Sequence, residues 1–405
     1  MNVRDSDAPP RIKRSLYLIL GVLAGLGPFS IDMYLPALPE IGVSLNASPG
    51  AMQMTVTAFL VGLIFGPMVV GPISDAVGRR PPILVSLILY SLISLLLATA
   101  GSVEMMIGLR VAQAACGGTS MSLVRSMIRD LLSGDAMARA MSILMMVLLG
   151  APIVAPFFGG ALLLVWSWRS IFVVLAVIGA LMFVGAWRWL PETLPPDLRR
   201  PLDLGSSVRG YLSITRSREA VAYAITGGAV AAVLFCYLAA SPFIYIDYYG
   251  FDEQWFGALF AISVVGAWLA QVFNIRYVQV IGYGKLVKIG SLLLVGLAIV
   301  LLWVTQTDFG GLAGVVTVSV LAVSMTHVVS PGTLTGVLDG FPHLAGSASG
   351  FASFVRFTMG AAGTASLGIF NDGTPRSFGV ATVVFSVIAL VAATAARPPA
   401  FKRRN

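Results

Sequence analysis

Charge is what this sequence has least of. Only 11% of its 405 residues are Asp, Glu, Lys or Arg, while 57% are hydrophobic and the mean hydropathy is +0.89. Ordinary soluble domains carry about 25% charged residues, so no large part of this chain is a soluble globule. Cysteine is nearly absent: Cys116 and Cys236 both lie in long apolar runs. That excludes a disulfide framework and leaves two packed thiols. The two histidines, His327 and His343, have no Cys/His/carboxylate cluster around them in the sequence, which argues against a metal centre. No nucleophile-plus-base pattern is visible either, so an intramembrane enzyme finds no support. Strands of alternating apolar and polar residues are missing, which excludes an outer-membrane barrel.

What is present is a series of continuous apolar runs. A helix needs ~20 apolar residues to cross ~30 Å of hydrocarbon, so twelve crossings would use ~240 residues and leave short loops. Breaks at charged or Pro/Gly-rich points delimit runs at 15–39, 51–73, 82–101, 104–130, 137–164 and 169–190. A polar connection covers 191–218. Further runs follow at 219–247, 254–276, 285–305, 309–331, 344–369 and 375–396. The basic residues before Leu16 resemble a signal peptide's start, but the apolar run continues to Pro39, too long for a cleaved segment, and reads as a retained first span.

The formal charge of +8 has a pattern. With the N-terminus in the cytoplasm, all but four of the 26 Lys/Arg fall on the inner side: before span one, at the inner ends of spans and the even-numbered connections beside them, or at the C-terminus. Arg169 and Arg376 lie outside, and Arg110 and Arg356 lie within spans. Such asymmetry predicts both termini inside and an even number of spans. The basic charge is then a topology signal that touches lipid headgroups, not a nucleic-acid surface.

The halves repeat. At an offset of 206, Phe29 meets Phe235, Pro36 meets Pro242, Gly78 meets Gly284 and Arg79 meets Lys285; at 207, Arg169-Ser170 meets Arg376-Ser377. Six spans plus six around a central loop is the parallel repeat of a secondary transporter, with its substrate site between the halves. The expected fold is therefore an all-α membrane protein of twelve transmembrane helices in two pseudo-symmetric six-helix bundles, 1–190 and 219–405, joined by a cytoplasmic loop at 191–218.

Between spans two and three stands Gly71-Pro-Ile-Ser-Asp75-Ala-Val-Gly78-Arg79-Arg80-Pro. The glycines allow a tight turn, Asp75 can accept hydrogen bonds at a helix end, and the arginines hold the turn at the cytoplasmic surface. This segment resembles the loop signature of the major facilitator superfamily, departing from it at Ala76, where that family often carries Arg. Arg110-Val-Ala-Gln-Ala in span four is similar to the same family's fourth-helix arginine motif. Gly150-Ala-Pro-Ile-Val-Ala-Pro156-Phe-Phe-Gly159-Gly160 is similar to the span-five pattern of drug/proton antiporters, with Ala155 in place of a glycine. Ser30-Ile-Asp32-Met-Tyr34-Leu-Pro-Ala-Leu-Pro39 looks like the bicyclomycin/chloramphenicol-resistance branch. Arg129-Asp130, Leu190-Pro-Glu192-Thr-Leu194 and Arg356-Phe with Gly360-Ala fit that branch too.

Ionisable residues inside spans are expensive and are functional candidates by default. Asp32 lies about seven residues before the outer end of span one and Arg110 about six past that of span four, so both sit ~9–11 Å below the outer surface. They are the candidate proton-coupling pair; a structural ion pair is the competing reading for Asp32, and Arg110 stands open between the two roles. At offset 206 Asp32 meets Leu238, which places coupling in the first half. Candidate substrate contacts are Phe29, Met33 and Tyr34 in span one, Phe235, Tyr237 and Tyr245 in span seven, and Arg356 in span eleven. For the aromatics, lipid-facing or packing roles compete; for Arg356, packing and hydrogen bonding do. Candidate gating residues are Gly71, Asp75, Gly78, Arg79 and Arg80 in the loop, and Gly150, Pro156, Gly159 and Gly160 in span five. Small residues there let helices approach and proline bends them. The resemblance implies a monomeric, multi-pass transporter of the bacterial cytoplasmic membrane that exports small amphipathic antibacterial drugs in exchange for protons. It needs no cofactor beyond the proton gradient. A proton-coupled symporter for nutrient uptake is the alternative.

Overall fold

The computed structural model describes residues 14–132, 134–199 and 201–396, and all regular structure among them is helical. The basic residues expected at 4, 11, 13, 200 and 397–404 lie outside the described residues. The first half comprises α1 (Arg14–Asp32), a short α2 (Leu38–Ser44), α3 (Pro49–Val77), α4 (Arg80–Ala98), α5 (Val103–Leu131), α6 (Gly134–Leu163) and α7 (Arg169–Trp189). α8 (Leu204–Thr215) lies in the connection. The second half comprises α9 (Arg218–Pro242), α10 (Glu253–Ile281), α11 (Tyr283–Thr307), α12 (Gly311–Asp339), α13 (Ala345–Ile369) and α14 (Arg376–Ala395).

Ten of these elements are long and apolar enough to cross a membrane by length and composition alone. The other two, α5 and α13, have 29 and 25 residues and carry more polar side chains, Arg110, Gln113 and Arg125 in one and Arg356 in the other. The result is the twelve-helix arrangement expected from the sequence. The first span departs from a single helix. α1 ends at Asp32, a 3-10 turn covers Leu35–Ala37, and α2 resumes at Leu38. Pro36 and Pro39 have no N–H to donate, so the hydrogen-bond ladder breaks there. Asp32 thus stands at a helix end, next to the break.

Helix starts follow local chemistry. Ser48 Oγ accepts the Ala51 N–H with Pro49 at the first position, and Ser102 and Ser217 cap α5 and α9 in the same way. α3 ends at Gly78 with φ +107°, and α10 ends at Gly282 with φ +84°, conformations that favour glycine. Gly282, not Gly284, therefore takes the part of Gly78 in the second half. The connection also differs from a plain polar loop, since α8 is an amphipathic helix whose Tyr211 packs on Phe351 and Phe354 of α13.

Glycines set the closest approaches. A Cβ at Gly62 or Gly66 of α3 would collide with the Val111 or Ala115 carbonyl of α5, so the two backbones touch. The halves meet along α3 and α13. A Cβ at Gly50 would collide with the Gly368 carbonyl; Asn371 Nδ2 donates to Gln53 Oε1 at 3.2 Å; the Thr57 and Thr364 hydroxyls lie 2.8 Å apart; and Leu60 reaches Gly360. α6 and α10 touch near the same end, where Gly257 rests on Phe157. This sealed end, near Asn371, is opposite the end that carries Asp75. The larger apolar core runs across both halves at the sealed end, while a second cluster, including Tyr223, Leu294, Val329 and Phe385, belongs to the second half and α8.

Candidate functional site

The site is built around Arg110, which is fully buried two turns into α5 from its Val103 end. Its guanidinium lies between two aromatic rings, 4.4 Å from the Tyr34 centroid and 4.2 Å from that of Phe59. Ring faces carry negative charge density, so this sandwich offsets part of the desolvation of the cation. Arg110 Nη1 donates to Gln113 Oε1 at 2.8 Å and to the Ser30 carbonyl at 3.4 Å. Gln113 Nε2 donates in turn to Ser94 Oγ, and the Tyr90 and Ser30 hydroxyls are 2.5 Å apart. The Tyr34 hydroxyl meets Thr55 Oγ1 at 2.5 Å, which ties the span-one break to α3. Arg110 Nε and Nη2 have no hydrogen-bond partner among the described residues.

Asp32 is 3% exposed and is the one buried carboxylate among the described residues. It does not pair with Arg110: the ion pairs among the described residues join Arg79 to Asp75 and Asp130, and Arg209 to Asp203. The shared depth is real, because Arg110 contacts Ser30 and Tyr34 on either side of Asp32. Ser30 and Tyr34, four residues apart, share one side of the span, and a residue midway between them points away from it. The neutralising contact considered from the sequence is replaced by an aromatic box.

The loop residues form one network. Arg79 Nη1 lies 2.5 Å from Asp75 Oδ1 and donates to Ser74 Oγ, while Arg79 Nε reaches Asp130 Oδ2 at 3.2 Å. Arg80 Nη2 donates to the Trp187 carbonyl at 2.5 Å. Glu192, whose role the sequence did not indicate, holds the turn from the connection. Its carboxylate accepts the backbone N–H of Arg79, Arg80, Thr193 and Leu194 at 2.8, 3.1, 2.9 and 3.0 Å. Partial burial works to raise its pKa, but these four N–H donors outweigh burial and hold it below the usual carboxylate value. Gly78 sits under this carboxylate, where a Cβ would come within 2.8 Å of Glu192 Cδ. Gly71 and Gly150 have open space at their Cβ positions. Gly159 rests on the Met33 carbonyl at the span-one break, and Gly160 faces the Glu253 carbonyl at 3.3 Å, with Pro156 between them and the middle of α6.

The candidate substrate aromatics are packed, not open. Met33 and Tyr34 are fully buried and Phe29 is half-buried. Phe235 packs on Phe357, Tyr237 stacks on Phe260 and bonds Ser263, and Tyr245 packs on Phe256. All three are buried in this arrangement. Arg356 is different: it lies near the middle of α13 and is exposed. Among the described residues no group of three or more His, Cys, Asp or Glu is placed to hold a metal ion.

The arrangement matches known proteins over nearly its whole length. An uncharacterized MFS-type transporter, YdgK, of Bacillus subtilis (strain 168) is 35% identical over 381 residues, which cover 93% of this chain and 94% of that protein. A bicyclomycin resistance protein homolog of Haemophilus influenzae is 32% identical, covering 85% and 86%. A chloramphenicol resistance protein of Pseudomonas aeruginosa is 29% identical, covering 90% and 84%. Among solved structures, the nucleoside transporter NupG superposes with a TM-score of 0.73 at 13% identity, covering 94% of this chain and 98% of that one. A D-xylose-proton symporter superposes with a TM-score of 0.73 at 16% identity, covering 94% and 96%. At such identities the structures speak for the fold alone. Residues 20–364 match the Major Facilitator Superfamily, and the chain belongs to that family of membrane transporters.

Proposed function

We propose that this transporter is a proton-coupled multidrug efflux antiporter of the bacterial cytoplasmic membrane, exporting small amphipathic antibacterial compounds as a monomer. The names of the bicyclomycin, chloramphenicol and multidrug resistance relatives support the drug class. The basic Asp75 end faces the cytoplasm, with both termini there, by the Lys/Arg asymmetry. The sealed Asn371 end then faces outward, and the described arrangement is inward-facing. Residues 1–190 and 219–405 rock about the 191–218 connection, opening one end as the other closes.

Asp32 carries the proposal. It is buried, has no ion-pair partner among the described residues, and stands where the first span breaks against Gly159 of α6. A carboxylate with no ion pair can gain or lose a proton without breaking one, and a helix break lets its surroundings change as the halves rock. Facing outward, Asp32 takes a proton as drug leaves; facing inward, it gives the proton up as drug binds. Arg110 keeps its charge inside the aromatic box and sets the field at that depth.

The test uses inverted membrane vesicles and purified protein. Asp32→Asn keeps the shape but cannot titrate, so drug-driven proton release and concentrative export should both vanish while binding of a neutral drug persists. Asp32→Glu should retain partial transport with a shifted pH profile. Proton release and concentrative export by folded Asp32→Asn protein would move the coupling residue elsewhere. Wild-type export that survives collapse of the proton gradient would remove proton coupling itself.

A further inference from the structure

The connecting helix α8 is docked on the membrane spans along one side only. Its Tyr211 packs on Phe351 and Phe354 of α13 with ring centroids 6.1 Å apart in both pairs, and Ile214 is fully buried in the second-half core. Two glycines make the approach close. A Cβ at Gly350 would come within 2.7 Å of the Tyr211 hydroxyl, and one at Gly210 within 2.6 Å of Ser347 Oγ. α8 also touches α9 and, in the other half, α3.

That contact fixes the depth of α8. Phe351 and Phe354 stand six and nine residues in from the Ala345 end of α13, the end opposite Asn371, which is ~9–14 Å along a helix of ~37 Å. For a span centred in ~30 Å of hydrocarbon, the contact then falls ~5–10 Å inside the hydrocarbon edge. An amphipathic helix lying in the plane of the interface buries its apolar face to that depth. α8 fits the type, since it separates apolar from polar residues more sharply than any of the spans and is less apolar than nearly all of them.

The consecutive Leu212, Ser213 and Ile214 stand ~100° apart around α8, one on each of three sides. Ile214 takes the protein side. Leu212, ~160° away from it, is more than half exposed, as are Leu198 and Leu202 in the stretch leading into α8. A lone exposed leucine needs no explanation in water, but at this depth its surroundings are acyl chains. Toward the third side lies Arg209, exposed and paired with Asp203. Arg216 and Arg218 follow directly, exposed and in no ion pair among the described residues.

We infer that α8 is an interfacial anchor: its Leu212 side lies at the acyl boundary of the leaflet at the Asp75 end, and Arg216 and Arg218 bind the phosphate of an anionic phospholipid. α8 thereby ties the second half, on which it is docked, to the lipid surface. That leaflet is the inner one on the orientation proposed above, but the test does not depend on it.

Full-length protein carrying Cys116→Ala and Cys236→Ala receives one NBD-labelled cysteine, from Leu212→Cys or Ser213→Cys, in phosphatidylcholine nanodiscs. The Leu212 reporter should be quenched by phosphatidylcholine spin-labelled high on its acyl chain and spared by aqueous iodide; the Ser213 reporter should show the reverse. Spin-labelled phosphatidylglycerol at the same low mole fraction should be enriched at the Leu212 reporter by about fivefold per arginine. Arg216→Gln with Arg218→Gln should bring the two lipids level while leaving quenching by phosphatidylcholine unchanged, which also reports that α8 stays docked. The corresponding lysine pair should keep the enrichment. Iodide quenching of both reporters alike, with no effect of lipid labels, would put α8 in water and overturn the anchor. A Leu212 reporter shielded from iodide and lipid alike would mean that a protein surface covers it, which overturns the anchor too. Equal quenching by the two lipids with both arginines present, or enrichment that survives the glutamine pair, overturns the phosphate contact. Drug export plays no part in these readouts, so the efflux reading stands or falls separately.

Discussion

Removing the Glu192 carboxylate isolates what holds the Asp75–Arg80 turn. Four N–H bonds to a charged acceptor, at ~1 kcal/mol each, would sum to ~4 kcal/mol if all were lost to vacuum. Glu192 is exposed, however, and water takes over the freed donors, so the cost is scaled to that of losing a helix cap. Glu192→Ala should therefore destabilise by ~1–2 kcal/mol. Glu192→Gln should cost about half as much, ~0.5–1 kcal/mol, by losing the charge at the α4 N-terminus. Its amide oxygen can keep the three bonds that Oε1 accepts from Arg79, Thr193 and Leu194, but its NH2 group turns a donor toward the Arg80 N–H. The sign with pH follows from the depressed pKa, which four N–H donors hold down against burial. The charged-state stabilisation is complete above the unfolded glutamate value of ~4.5 and is lost as pH falls through the folded value. Thermal melts in detergent at pH 7.5 should place Glu192→Ala ~2–5 °C below the wild type. As pH falls below the depressed folded value, the wild type and Glu192→Gln should converge, since both are then neutral. Gly78→Ala adds backbone strain at φ +107° and a Cβ under the carboxylate, so it should cost more than Glu192→Ala. In a Glu192→Ala background part of that cost should disappear. Equal melts for all variants at pH 7.5, or a gap to Glu192→Gln that widens in acid, would refute the capping argument.

Two further outcomes test the site and the seal. Arg110→Lys keeps the charge but not the planar group, so it should lose the double ring stack and the Gln113 bond and cost ~1–3 kcal/mol, with drug-driven proton release weakened; a melt and release like the wild type would show that any cation suffices there. Thr57→Val with Asn371→Ala deletes two hydrogen bonds across the halves, ~1–3 kcal/mol in total, which favours the state open at the Asn371 end by ~5- to 150-fold. Ser377 lines a cavity at that end together with Gln53 and Asn371, so faster thiol alkylation of a Ser377→Cys reporter checks it, and an unchanged rate would mean the two bonds do not hold the end shut.

The spans were legible because runs of ~20 apolar residues have few other uses, and even α5 and α13, too polar for a hydropathy criterion, stood out between charged breaks. α8 was not, because a twelve-residue amphipathic helix in a polar stretch gains its order from packing Tyr211 on α13, a contact far along the chain. The shared depth of Asp32 and Arg110 came from counting residues along helices. Their failure to touch depends on rotation about the helix axis, which counting cannot supply. Phe59 was hidden among the other apolar residues of α3 and gains its meaning only from the guanidinium above it. Glu192 was visible as part of a pentapeptide, but its bond to the Arg79 backbone crosses 113 positions.

The two halves divide the chemistry unequally, and the physical reason lies at Tyr34. Its ring is one wall of the Arg110 box and its hydroxyl is bonded to Thr55 of α3, one turn or less from Gln53 and Thr57, which close the seal against α13. Tyr34 also lies two residues past the end of α1 and immediately precedes the turn at Leu35–Ala37 that contains Pro36. A change at Asp32 that shifts this turn must therefore move the box, α3 or both, because the surrounding core is close-packed and Gly159 already rests on the Met33 carbonyl. The second half has Leu238 where the first has Asp32, so the position that corresponds to Asp32 carries no carboxylate there. It instead presents the other side of the seal and the exposed Arg356. Titration in one half and closure against the other are thus joined through α3, the element that both the arginine box and the seal share.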